Sequence, residues 1–164
     1  MYEKSIELLN TGIADELAAI HQYMYVHFRL DDLGYGPLAN LLKMTAIEEM
    51  QHAEMVAERI LFLGGEVELV VGGEVEKIHD AKEMLLRAKA LEEAAIEMYN
   101  SFARQCGEHN DSASKKLFED LVGFEEGHYD QFDRQTDFVE RFGEQYLALQ
   151  SFDGGAAGGG EPAP

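Results

Sequence analysis

Two histidines each stand three residues after a glutamate, in stretches that otherwise read as helix: Glu49-Met50-Gln51-His52 and Glu125-Glu126-Gly127-His128. At about 100° per residue, positions three apart share a helix face, so the carboxylate and imidazole of each pair reach a common point. In both stretches that face is the apolar one. Around the first pair it reads Leu38, Leu42, Thr45, Glu49, His52, Val56 and Leu63; around the second, Phe118, Leu121, Glu125, His128, Phe132, Gln135, Val139 and Phe142. Two further acids interrupt apolar stripes. Glu16 falls between Ile13 and Ile20 in the series Ile6, Leu9, Ile13, Ile20, Tyr23 and His27. Glu92 falls between Ala88 and Ala95 in the series Ala81, Leu85, Ala88, Ala95, Tyr99, Phe102 and Cys106. An amphipathic helix turns such a stripe to its core, so four carboxylates and two imidazoles are aimed inward.

Carboxylates buried without compensation are ruinously costly, whereas two divalent ions neutralise four of them and two neutral imidazoles complete the coordination. With two trivalent ions and a bridging oxide the charges again sum to zero, which suits a metal that cycles between the two states. Mixed oxygen and nitrogen ligands for two adjacent ions favour iron or manganese, with zinc left open. By position, Glu49 and Glu125 bridge the ions, while Glu16 with His52 and Glu92 with His128 cap one ion each. Tyr23, two turns beyond Glu16 on the same face, is either core packing or a phenol bonded to a ligating carboxylate, where it could also serve as a local electron source. Glu76 and His79 have the same spacing but lie in a connector without opposing ligands, so they read as a chance pair, and His21 and His109 read as surface residues.

The elements that must hold these residues follow from the punctuation. A first helix runs from Glu3 to about Leu33, where Gly34-Tyr35-Gly36-Pro37 stops one helix and starts the next. The second runs to about Leu63 and ends at Gly64-Gly65. Glu66 to His79, rich in Val and Gly, is long for a turn and short for a domain, and reads as an extended crossover that lets the second and third helices run parallel. A third helix spans Asp80 to about Gly107. Asn110-Asp111-Ser112 supplies caps for a fourth, and Glu144 to Phe152 forms a short fifth. Residues 1–152 read as one helical domain and the Gly/Pro-rich stretch 153–164 as a disordered tail. One Glu on each of two helices and Glu-x-x-His on each of the other two is the pattern of di-iron and di-manganese carboxylate bundles. The expected fold is therefore all-α, an up-down bundle with one crossover.

Composition agrees with this chemistry. The 164 residues suffice for one core, and the formal charge of −19, from 32 acids against 13 bases, repels nucleic acid and anionic membranes while drawing in cations. Cys106 is the only cysteine, so there is neither an internal disulfide nor a Cys-rich metal site. With no signal-like N-terminus and no apolar run of about 18 residues, the reading is a cytoplasmic, soluble protein.

Glu16 to Tyr23 as Glu-Leu-Ala-Ala-Ile-His-Gln-Tyr, Ile47 to Glu54, Glu58 to Gly65 and Glu125-Glu126-Gly127-His128 together resemble the bacterioferritins, over about Ser5 to Leu149. The resemblance implies a ferritin-like four-helix up-down bundle with one long crossover and a short C-terminal fifth helix. It further implies twofold dimers assembled into a 24-subunit shell. The implied activity is that of a ferroxidase: two Fe(II) ions per subunit are oxidised by O2 or peroxide at Glu16, Glu49, His52, Glu92, Glu125 and His128, with ferric mineral stored inside. Met50, about 100° around the helix from Glu49, points off the internal stripe toward a neighbouring subunit. Read alone, it is either interface packing or a ligand. In the resembled family this methionine and its twofold mate ligate a haem shared between two subunits, with Ala53 leaving room for the ring and Ile20 and Met24 as candidates for its wall. A ferredoxin-type electron donor would serve iron release. Met44 and Thr45 stand where some members carry an inner-surface iron site, which leaves only Glu48 acidic there. Two other readings compete: a di-iron peroxidase of the rubrerythrin type or an oxygenase, and a haem-binding electron-transfer cage protein.

Overall fold

The computed structural model describes residues 2–152. It consists of helices α1 (Glu3–Asp32), α2 (Gly36–Phe62), α3 (Ala81–Glu108), α4 (Ser112–Phe142) and α5 (Glu144–Leu149). Among the described residues there is no strand. The caps follow the sequence signals. Gly34 takes a φ of 82° after α1 and Pro37 sits in the first turn of α2. Asp80 and Asp111 cap α3 and α4 by accepting from the backbone N–H of Glu83 at 2.9 Å and of Ser114 at 3.1 Å. Asp111 also receives Arg59 at 2.7 Å, while Arg59 Nε donates to Ser114 Oγ at 2.9 Å, so the end of α2 is tied to the start of α4.

Helix directions can be read from two separate cores. One joins Tyr23, Val26 and Leu30 of α1 to Leu38, Leu42 and Ala46 of α2, Ala81, Leu85 and Ala88 of α3, and Phe132 and Val139 of α4. The other joins Leu9 and Ile13 to Val56 and Ile60, Tyr99 and Phe102, and Phe118 and Leu121. The start of α2 thus lies beside the start of α3, and the end of α1 beside the end of α4. Parallel α2 and α3 require the crossover, which is extended and lies along α1. Asn10 holds it at Glu66 and Glu68, with Nδ2 donating at 2.9 Å and Oδ1 accepting at 2.8 Å, and Gln22 grips Glu76 in the same two-handed way at 3.1 and 2.8 Å. Between these clamps, Gly72 N–H donates to Ala14 O at 2.8 Å, an approach so close that a Cβ at position 72 would stand 2.8 Å from that oxygen.

Several expected stripe positions are displaced. Ile6, Ile20, His27, Leu63 and Gln135 are only half-buried, and Phe142 is 51% exposed. Val26, Leu30, Ile60 and Thr136 take buried places instead. A strict alternation of three and four drifts around a helix of 3.6 residues per turn, and over about eight turns the drift carries the ends off the face. His27 is used differently, its Nδ1 lying 2.8 Å from Ala39 O across the α1–α2 turn. The fifth helix ends at Leu149 rather than Phe152, because Gln150, Ser151 and Phe152 close on Leu147, Ala148 and Leu149 through i→i−3 bonds of 3.0–3.3 Å, tighter than α geometry. The expectation of a disordered tail falls on residues 153–164, outside the described residues.

Candidate metal centre

Between the two apolar cores lies a polar layer. Glu16, Glu49, Glu92 and Glu125 are each at most 2% exposed, too buried for water to screen their charge. Their carboxylate oxygens and the two imidazoles form two overlapping groups, Glu16–Glu49–His52–Glu125 and Glu49–Glu92–Glu125–His128, with the donor atoms of each group within 4.8 Å of one another. Glu49 and Glu125 belong to both groups. Nδ1 of His52 is 2.8 Å from Glu49 Oε2 and 3.3 Å from Glu125 Oε1; Nδ1 of His128 is 3.1 Å from Glu49 Oε1 and 3.2 Å from Glu125 Oε2. The donor set fits two ions with oxygen and nitrogen ligands. Glu125 Oε1 is buried with no well-directed hydrogen bond, its charged neighbour being His52 Nδ1 at 3.3 Å, and a cation would satisfy it.

Electrostatics sort the four acids into two kinds. Burial raises Glu16 well above the usual carboxylate range, and repulsion from Glu49 and Glu125 adds to it. Burial also raises Glu92 well above that range; a hydrogen bond with His128 opposes this, but Glu49 and Glu125 reinforce it. For Glu49, burial works upward, yet hydrogen bonds with His128 and His52 prevail and hold it at about 2. Glu125 is lowered in the same manner against its burial. Burial depresses the imidazoles, but bonds to Glu125 and Glu49 more than offset it, raising His52 to about 9 and His128 further. Without metal, the shifts oppose each other: Glu49 and Glu125 are pushed toward the charged form beside His52 and His128, which are pushed toward theirs, while Glu16 and Glu92 are pushed toward the neutral form.

Tyr23 does bond to a carboxylate of the cluster, but across the bundle: its hydroxyl donates to Glu92 Oε1 in a very short contact. Tyr99 mirrors it, donating to Glu16 Oε1. Each ring packs on a phenylalanine of α4, Tyr23 on Phe132 at 5.6 Å and Tyr99 on Phe118 at 5.7 Å. Gly12 makes room for Tyr99, since a Cβ there would stand 3.3 Å from its Cε1. In the sequence Tyr99 read only as core. The missed signal was the repeat, since Glu16 to Tyr23 and Glu92 to Tyr99 are both spaced by seven residues, two turns on one face. Also beyond the sequence reading, Asp15 lines the α1–α3 side of the cluster with Ala19, Leu91 and Ala95, where the open volume of about 10 Å³ is the room of roughly one water. Burial, then Glu125 and Glu49, push Asp15 up to about 6.

The remaining candidates lie elsewhere on α1 and α2. Met50 is 57% exposed, as expected of a residue off the internal stripe, and Ala53 one turn on is half-buried. Ile20 and Met24 are half-buried on α1, with Met24 packed against the first core. His21, His79 and His109 are exposed; His79 Nδ1 lies 3.3 Å from Arg29, and Glu76 pairs with Arg87 at 2.7 Å, so that Glu-x-x-His pair contributes nothing to the cluster.

A helical bundle whose core is interrupted at mid-height by such a carboxylate–imidazole layer is a ferritin-like domain, and the family model of that description matches residues 6–142. A bacterioferritin of Desulfovibrio desulfuricans is 40% identical over 151 residues, covering 88% of this chain and 81% of that protein. One of Rhodobacter capsulatus is 39% identical over 147 residues, covering 89% and 91%. The crystal structure of the Desulfovibrio desulfuricans bacterioferritin, described with its diiron site in different catalytic states, aligns with a TM-score of 0.88 at 39% identity, over 95% of this chain and 94% of that one. The chain belongs to the bacterioferritin family.

Proposed function

We propose that the protein stores iron and is a ferroxidase. The observation that carries this reading is the pair of overlapping donor groups sharing Glu49 and Glu125, which suits two Fe(II) ions side by side. Glu16 with His52 and Glu92 with His128 would each complete one ion's ligands. Two Fe(II) ions give up two electrons to O2 or to peroxide, with two protons taken up to form hydrogen peroxide or water respectively. The chain's own part is to hold both ions side by side among buried carboxylates. Tyr23 and Tyr99 orient Glu92 and Glu16 by donating to them, and Tyr23 stands within one bond of the cluster as a local electron source. Ferric product would collect inside a 24-subunit shell of twofold dimers. Cys106, a buried free thiol, accords with a cytoplasmic location, and no described helix is long and apolar enough to cross a membrane.

Anaerobic loading of metal-free protein with Fe(II), followed by oxidant, tests this reading. A fast phase of near-ultraviolet ferric absorption should saturate at two irons per chain, followed by slower uptake far beyond two. Uptake that stops at two would replace storage by a di-iron peroxidase or oxygenase.

Haem is the second group the family implies. Met50 fits the part of a residue that would hold the haem iron, on chemical grounds: its thioether is a soft ligand, more than half exposed on the outside of α2, free of the core. With Ala53 beside it and Ile20 and Met24 on the adjacent helix, a twofold mate would supply the second sulfur, and the bound haem would carry electrons between a ferredoxin-type donor and the stored iron. Met50→Leu should abolish the Soret band of haem-reconstituted protein while leaving the fast iron phase intact; a Soret band that persists would assign Met50 to packing.

A further inference from the structure

Beyond the ligands themselves, the two imidazoles are backed differently. His128 turns Nδ1 to the cluster and Nε2 to Glu48, whose Oε2 is 2.6 Å away and whose side chain is about half exposed. His52 also turns Nδ1 inward, but its ring is met by the face of Phe124, with centroids 5.0 Å apart and planes inclined by 20°. Among the described residues, no hydrogen bond reaches His52 Nε2. Both rings border an open depression of about 430 Å³ between α2 and α4, in contrast to the nearly closed α1–α3 side. Gly123 and Gly127 flank Phe124 there, and nothing lies within 4 Å of where either Cβ would stand, so the depression is open beside the ring.

This difference acts on metal ligation. A neutral imidazole ligates through the nitrogen that carries no proton. When Nε2–H of His128 donates to Glu48, Nδ1 is left bare and aimed at the cluster, and the carboxylate makes it a better donor. His52 has no such acceptor, so no partner on Nε2 fixes its tautomer before it ligates. We propose that Glu48 is a positioning residue that makes the two metal positions unequal, so that the position of Glu92 and His128 fills first and that of Glu16 and His52 second. The proposal rests on the two-ion reading of the cluster.

Anaerobic titration of the metal-free protein with Co(II) alone, at one fixed pH and followed by its visible d–d absorption, separates the positions. Glu16→Ala leaves the Glu92–His128 position and should retain one tightly held Co(II); Glu92→Ala leaves the other and should retain one held more weakly. Adding Glu48→Ala should weaken the former by about 10–100-fold, the usual cost of losing an outer partner of a ligating histidine, and leave the latter unchanged. Glu48→Gln, whose amide oxygen still accepts from Nε2, should restore most of the loss, a rescue that a general loss of structure would not show. Equal weakening of both positions, or none, would overturn the role of Glu48 while leaving the two-ion centre standing. Wild-type protein that binds fewer than two Co(II) per chain would overturn both.

Discussion

Glu49→Ala is expected to eliminate the fast phase of Fe(II) oxidation. Glu49 is one of the two carboxylates common to both donor groups, so its removal takes an oxygen from each ion at once, and Glu125 alone is left to span them. Loss of an outer partner of a ligand costs about 10–100-fold in metal affinity or activity, and loss of a shared ligand should exceed that, giving a fall of more than about 100-fold in the initial rate. Stopped-flow absorption after mixing the Fe(II)-loaded protein with O2 measures it. Circular dichroism at matched concentration shows whether the bundle persists, and Glu49→Gln, which keeps the volume and an acceptor, distinguishes lost charge from a lost contact. An initial rate within about tenfold of wild type, in protein shown to be folded, would remove Glu49 from the ligand set.

The second large effect is linked to protons. In the metal-free protein His52 and His128 are raised so that they hold a proton at neutral pH, and Glu16 and Glu92 are raised toward their neutral forms; any proton so held must leave before the group ligates. Binding of two ions should therefore release protons, those of the two imidazoles first among them, as read by a pH indicator in weak buffer. Affinity should rise steeply with pH. The metal-free fold should respond in the opposite sense. His52 is raised from 6.5 to about 9, so its contribution to stability is complete below about 6.5 and lost as pH rises through 9. Glu16 and Glu92, raised from 4.5, likewise favour the fold while protonated and cease to as pH climbs through their elevated values. Glu49 runs the other way, contributing above 4.5 and losing its contribution only near pH 2. The Tm of metal-free protein should thus fall between pH 6.5 and 9, whereas an excess of Zn(II) should stabilise more at the upper end of that window. A Tm that is flat across it would mean that the imidazoles are neutral before metal arrives.

The sequence was most legible where small residues surround the acids. Every expected position of the α3 stripe from Ala81 to Cys106 is buried, and the small Ala88 and Ala95 on either side of Glu92 leave room for its carboxylate in the interior. In α1 the reading was poorer. Gln22 is buried at 3% exposure beneath the crossover it clamps, a burial set by a segment more than fifty residues away and invisible to helical periodicity. The convergence of the four interrupted stripes at one height could be read because each acid lies near the middle of a helix of 27–31 residues. The partners around them could not. Which tyrosine meets which glutamate depends on how two helices face each other, and Phe124 and Glu48 gain their meaning only from the rotamers of His52 and His128.

The division of the interior into two apolar cores separated by a charged layer bears on how the molecule is put together. The pairs α1–α2 and α3–α4 are hairpins closed by short turns, and each brings half of the cluster: Glu16, Glu49 and His52 from one, Glu92, Glu125 and His128 from the other. Contacts within a hairpin are local and form cheaply, whereas docking the two must close the loop of the crossover. The polar layer gives little driving force for that step where the apolar cores give much. An ion held by ligands from both halves acts there as a clasp, stabilising the docked state over the separated one by its own binding free energy. Loading the centre thereby fastens the fold across its least cohesive plane.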